Sequence, residues 1–283
     1  MSIALMLGRP NALMLIEART QYLAFTVSQA ESASMPRLTD VSLHVHGTGE
    51  HRCLSGIVEP PLKSHVRYRL IDDTLLVDIV PSESATTQLR VGRGVQRLSG
   101  PVTLTIGPTS RCLPPDAVVR PIRLPVHGEA TIGRAPSRPE NTDDPVAAFQ
   151  GLLLDGSVNV FGRPVMRSDQ LYPAGTFDLS GGTIVSTPLD SPTHGLYGHV
   201  LFEPGDRSPG RFATLSVSGS AVTPYLSVAR TTLEGASGTE DKIVAALLAS
   251  FFRDPLLLTV QVIFALFVTF LNLSLTGFAA RRT

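Results

Sequence analysis

The run Thr39–His46, TDVSLHVH, sets Val41, Leu43 and Val45 at alternate positions, with Ser42, His44 and His46 between them. A period of two marks a strand with one face in a core and the other in water. The same pattern recurs on both sides. ALMLIEARTQYLAFTVS at 12–28 reads as two strands. HVRYRLI (65–71), TLLVDIVP (74–81), PVTLTIG (101–107), SVNVFG (157–162), GTIVST (182–187), GHVLFEP (198–204), FATLSVSG (212–219) and YLSVARTTL (225–233) extend the series. Gly and Pro separate these runs, and no helical period lies between them. That predicts a mostly β body, an antiparallel sandwich or barrel rather than a parallel α/β sheet, which needs crossover helices.

Polar, proline-rich GRAPSRPENTDDP at 133–145 reads as a linker. It predicts two β domains, residues 1–132 and 146–235. A Leu-x-Gly-x-Val recurrence starts at Leu54, Leu98 and Leu154, with spacings of 44 and 56 that are too irregular to define a repeat.

Composition narrows the function classes. At 283 residues, 43% hydrophobic and 17% charged, the chain carries enough apolar material for a sizeable core, which excludes wholesale disorder. Lys+Arg 24 against Asp+Glu 24 gives no net field toward polyanions, so nucleic acid is not an expected partner. Lysine occurs only at Lys63 and Lys242; the other cations are scattered arginines. Cys53 and Cys112 permit one disulfide at most and leave the compartment open.

At the C-terminus the pattern changes. PLLLTVQVIFALFVTFLNLSLTGFAA, residues 255–280, has no charge and exceeds the roughly 20 residues that span a hydrocarbon core, which predicts a single transmembrane helix in a lipid bilayer. Before it, Thr239 followed by Glu240 and Asp241 resembles an N-cap with first-turn acids. Ile243, Leu247 and Phe251 then follow at spacings of four, so residues 239–253 are expected to form an amphipathic helix. Gln261 and Asn272 are eleven residues apart, within roughly 20° on one helix face, with Thr269 and Thr276 beside them. Such a stripe seeks a membrane partner helix or a second copy of the chain. Basic residues flank the segment two against two, Lys242 and Arg253 before and Arg281 and Arg282 after, and so do not orient it. Arg9-Pro10 interrupts the first apolar patch, and no basic residue precedes that patch, so it fails as a signal peptide. The expectation is a tail-anchored, single-pass protein with a cytosolic bulk.

The cluster with chemical character is His44-Val-His46-Gly-Thr-Gly-Glu50-His51-Arg-Cys53. A four-residue loop at 47–50 sets His46 opposite His51 and His44 opposite Cys53. Imidazole and thiolate donors in that square suit zinc. His44, His46 and Glu50 resemble the first half of the cupin motif over about ten residues. The upstream glycine is absent, with Leu38 in its place, the downstream one is displaced to Gly56, and the second half, with the histidine that completes a cupin metal set, is absent. No Walker loop or nucleophile elbow occurs, Gly92-Arg-Gly94 lacks the third glycine of a dinucleotide loop, and no catalytic residue is assigned. Asp72-Asp73 reads as a turn, and His194 and His199 as loop or strand residues.

The leading expectation is a non-catalytic, membrane-anchored accessory or scaffold subunit that assembles through its C-terminal helix and its β body. One alternative is a membrane-tethered metal-dependent or hydrolytic enzyme built on His44, His46, Glu50 and His51. Another is an extracytoplasmic β-type binding module, which a Cys53–Cys112 disulfide would favour.

Overall fold

The computed structural model describes residues 11–46, 48–71, 73–83, 85–114, 117–134, 151–162, 171–188, 195–205, 213–231, 237–244, 259 and 262–270. The strands are β1 (Ala12–Thr20), β2 (Tyr22–Val27), β3 (Leu38–Val45), β4 (Glu50–Glu59), β5 (His65–Ile71), β6 (Thr74–Val80), β7 (Thr87–Val91), β8 (Gly94–Leu98) and β9 (Val102–Ile106). They continue with β10 (Ile122–Ile132), β11 (Leu153–Gly162), β12 (Tyr172–Leu179), β13 (Thr183–Ser186), β14 (Leu196–Glu203), β15 (Thr214–Thr223), β16 (Tyr225–Thr231) and β17 (Ser237–Val244). Every pairing among them is antiparallel. The fold is mostly β, and the period-two runs become strands for the reason the sequence suggests: in β1, Ala12, Met14, Ile16 and Ala18 are buried while Leu15 and Glu17 face out.

The sheet branches at β10. On one side of it β2 leads through β5, β6, β9 and β3 to β4. On the other side, residues 122–128 of β10 pair with β14, which leads through β15 and β1 to β11 and β12. Thr131 and Ile132 pair instead with β13, which leads to β16 and β17. Strands from both sides of 133–145 therefore bond directly, and β1, first in the chain, lies between β11 and β15. Residues 135–145 lie outside the described set.

Gly128 sits at the branch with φ 145, and a Cβ there would stand 1.7 Å from the Thr26 carbonyl oxygen. Only glycine lets β2 join β10 at this point. Three residues earlier, Pro125 pairs with β14 alone, because β2 joins from Gly128 onward. The Pro125 carbonyl accepts a 2.8 Å hydrogen bond from the buried Tyr68 hydroxyl, whose ionisation burial pushes well above the usual phenol range. Tyr68 packs on Phe25 at 5.6 Å, tying β5, β2 and β10 into one core.

Several expectations are corrected. Residues 239–244 are not helical: Ile243 is buried opposite Leu226 and Lys242 lies opposite Ser227, so pairing with β16 outweighs the cap-like Thr239-Glu240-Asp241 signature. The rest of that predicted helix, 245–253, lies outside the described residues. Of the predicted span at 255–280, residues 262–270 form a helix; no helix among the described residues is long and apolar enough to cross a membrane. The Leu-x-Gly-x-Val recurrence is no structural repeat. It lies within β4 at Leu54, across the β8–β9 turn at Leu98 and within β11 at Leu154. Gly92-Arg93 is the two-residue turn of the β7–β8 hairpin, with φ 59 at Gly92.

Gly128→Ala tests the branch point. Forcing a methyl against the Thr26 carbonyl should cost about 3 kcal/mol, read as a lower urea midpoint at unchanged m. Gly49→Ala, where φ is 65 but no atom lies within 4 Å of the added carbon, should cost only about 1 kcal/mol.

Candidate functional site

The β3–β4 hairpin carries the histidines, in a register different from the expected one. Gly49 takes φ 65 and closes a loop at 46–49, so His44 pairs with His51, Val45 with Glu50, and Ser42 with Cys53. The shift follows from the left-handed residue at Gly49, which ends the turn one position earlier than a 47–50 loop. His44 and His51 stack with ring centroids 4.0 Å apart and planes 19° apart; His46 meets His44 edge-on at 4.5 Å. The His46 Nε2 lies 2.9 Å from the Thr103 hydroxyl. His44 Nδ1 is buried without a hydrogen-bond partner among the described residues.

The other two members of the predicted site are placed elsewhere. Cys53 is bonded to Cys112, so its sulfur is no thiolate ligand. Glu50 falls on the opposite side of β4 from His51, by strand alternation, and pairs with Arg52 at 3.4 Å. The structure thus brings together His44, His46 and His51, but neither the zinc square with Cys53 nor the acid–base group with Glu50. Among the described residues, no group of three or more His, Cys, Asp or Glu side chains could hold a metal ion. Of the predicted helix-partner stripe, Thr269 is described, and its hydroxyl donates to the Ala265 carbonyl at 2.8 Å. Gln261, Asn272 and Thr276 lie outside the described residues, as do Asp72 and His194.

The disulfide ties β4 to the turn after β9. In that turn the Ser110 hydroxyl donates to the Asp40 carbonyl at 3.1 Å, and the Cys112 N–H donates to the Ser110 Oγ at 3.3 Å. A cross-link across a sequence separation of 59 is worth up to about 4 kcal/mol in a chain-entropy treatment. Asp73 serves as a turn residue, with φ 59, and its carboxylate accepts the Ala213 N–H at 2.8 Å, joining the β5–β6 hairpin to the start of β15.

Sequence reasoning missed a second feature, visible only once the register is known. Opposite residues form one line across ten strands: His51 (β4), His44 (β3), Thr103 (β9), Asp78 (β6), Arg67 (β5), Ala24 (β2), Thr131 (β10), Ser186 (β13), Ser227 (β16) and Lys242 (β17). Asp78 is occupied: Arg69 pairs with it at 2.6 Å and the Thr103 hydroxyl donates to it at 2.8 Å. Between Arg67 and Ser227 the line forms the floor of a groove of about 600 Å³, bordered by His65, Thr26, Glu129 and Tyr225. Lys242 rests on the Tyr225 ring, 4.5 Å from its centroid. Comparison with protein families, curated proteins and solved structures finds no match.

The histidines couple this face to pH. Desolvation, then the charges of His44, Arg111 and His46, hold His51 below the usual imidazole range; desolvation lowers His127 and, with Arg123, His199. A lowered folded-state pKa means that the unfolded chain takes up protons first. Stability is therefore full above about pH 6.5 and falls as the pH drops toward the folded-state values. The melting temperature should decline between pH 7.5 and 5.5, and His51→Asn should flatten that decline; an identical slope in wild type and variant would remove His51 from the effect.

Proposed function

We propose that this chain is a non-catalytic, membrane-anchored β protein whose body works as a binding module in an oxidising, extracytoplasmic compartment. The observation that carries the reading is the Cys53–Cys112 disulfide, which uses both cysteines of the sequence. Disulfides persist outside the reducing cytosol, and this one favours an extracytoplasmic body over the cytosol-facing, tail-anchored arrangement.

The anchor rests on a second observation. Residues 262–270 are helical, and Val262, Ile263, Phe264, Leu266, Phe267 and Phe270 are all well exposed. At about 100° per residue these side chains spread over an arc of roughly 200°, and the exposed Val268 and Ala265 extend the apolar surface to roughly 300°, an arrangement that suits hydrocarbon and not water. They lie in the uncharged stretch 255–280, long enough for a single span. On this reading Gln261 and Asn272 face a partner helix or a second copy, while Thr269 is already satisfied within its own helix. The two β units, 1–132 and 146–235, form a sandwich- or barrel-like body joined through β1 and β10.

Thiol status in intact cells tests the compartment. A bulky maleimide added at lysis should shift the full-length protein on a gel only after reduction, by two additions for the two cysteines. Two additions without reductant would place the body in a reducing compartment and contradict the proposal.

A further inference from the structure

We infer that the groove floored by Arg67, Ala24, Thr131, Ser186 and Ser227, with Lys242 at its far end, binds an anionic oligosaccharide. The inference deepens the binding-module reading and rests on it for the compartment in which ligand and groove meet.

Three properties of the groove set the ligand class. First, its floor is built from small side chains in direct register, Ala24, Thr131, Ser186 and Ser227, so a flat ligand can lie close to the sheet. The Thr131 and Ser186 hydroxyls share a hydrogen bond at 3.3 Å and Thr26 shares one with His65 Nδ1 at 3.1 Å; each hydroxyl keeps an acceptor lone pair for a sugar O–H. Second, the groove floor has a cation at each end. Arg67 is exposed and has no ion pair among the described residues, and its neighbour in register, Asp78, is taken by Arg69 and Thr103. Lys242 is exposed at the other end, held over Tyr225. Five strand spacings separate the two, roughly 24 Å at about 4.8 Å each, which fits anions spaced along a chain of several rings rather than one small anion. Third, Glu129 and Tyr225 border the floor. The carboxylate can accept sugar O–H groups, and the phenol ring presents an apolar edge with a polar tip.

An acidic peptide is the competing ligand, and the geometry disfavours it. The floor from Arg67 to Ser227 crosses β5, β2, β10, β13 and β16, each paired on both sides, so a peptide lying on it gains none of the backbone hydrogen bonds that edge addition provides. Arg67 offers the planar fork that pairs with a carboxylate or sulfate in two parallel bonds.

The test uses full-length protein in a polyoxyethylene detergent, which carries no sugar, titrated by calorimetry with a hexamer of galacturonate. A heparin-derived hexasaccharide distinguishes carboxylate from sulfate, maltohexaose is the neutral control, and hexaglutamate is the peptide arm. The inference predicts submillimolar binding of at least one acidic sugar, with maltohexaose at least about tenfold weaker. Arg67→Ala and Lys242→Ala should each weaken it by about tenfold, and Ser186→Val by about threefold, with the urea midpoints of the two charge variants unchanged. Hexaglutamate binding as tightly as either acidic sugar, equal binding of maltohexaose, or no binding of either acidic sugar at 2 mM would overturn it. If the acidic sugars fail while the cysteines stay paired in cells, this ligand falls and the extracytoplasmic reading stands. If they bind and the cysteines are free, the reverse holds.

Discussion

β10 has to serve two branches of the sheet at once, and a single close backbone contact permits it. Its first seven residues pair with β14 and its last two with β13, while β2 runs along its other side from Gly128 onward. At that point the Thr26 carbonyl and Gly128 approach so closely that no side chain fits. The histidine hairpin and the disulfide, on the β2 side, are registered against the β14 and β13 branches through the β2–β10 pairing that this contact allows. The Tyr68 hydroxyl on the Pro125 carbonyl adds a buried lock on the same strand.

The long register line depends on that junction. A one-residue slip at β10 would turn Thr131 inward and bring the buried Ile132 or Ala130 to the surface, breaking the floor between Ala24 and Ser186. The polar face is thus a consequence of how the sheet is joined, and it gathers residues as far apart in sequence as Ala24 and Lys242. The disulfide and the histidine stack lie at the other end of the same line, on strands β3 and β4 and the turn that follows β9.

Legibility in the sequence followed burial. Strands with one clean apolar face, such as Val41-Leu43-Val45 and Leu75-Val77-Ile79, were readable because burial imposes alternation. β10 was not, because Pro125 and Gly128 are the residues that ordinarily argue against a central strand, and here they mark where a neighbour is absent and where one comes unusually close. β4 was obscured by its polar start, Glu-His-Arg-Cys, and β17 by a helix-cap signature that tertiary pairing overrode. At the candidate site the residue types are readable and their partners are not: a 47–50 loop sets Cys53 against His44, whereas the turn at Gly49 sets Ser42 opposite it and leaves its sulfur to Cys112. The groove left no local signal, since each strand contributes only one or two of its residues and the information lies in the register between strands.

Both branches and the β2 side form one cooperative structure through β10. Native-state hydrogen exchange of the full chain tests it most directly. The amides of Leu23–Val27, Val126–Ile132 and Val200–Phe202 should be among the slowest and should share one opening free energy that equals global stability and one dependence on denaturant. If β2, β5 and β6 exchange at one free energy while β14, β15 and β1 exchange at another well below it, the two sides open independently and the account of β10 as the joining strand is contradicted.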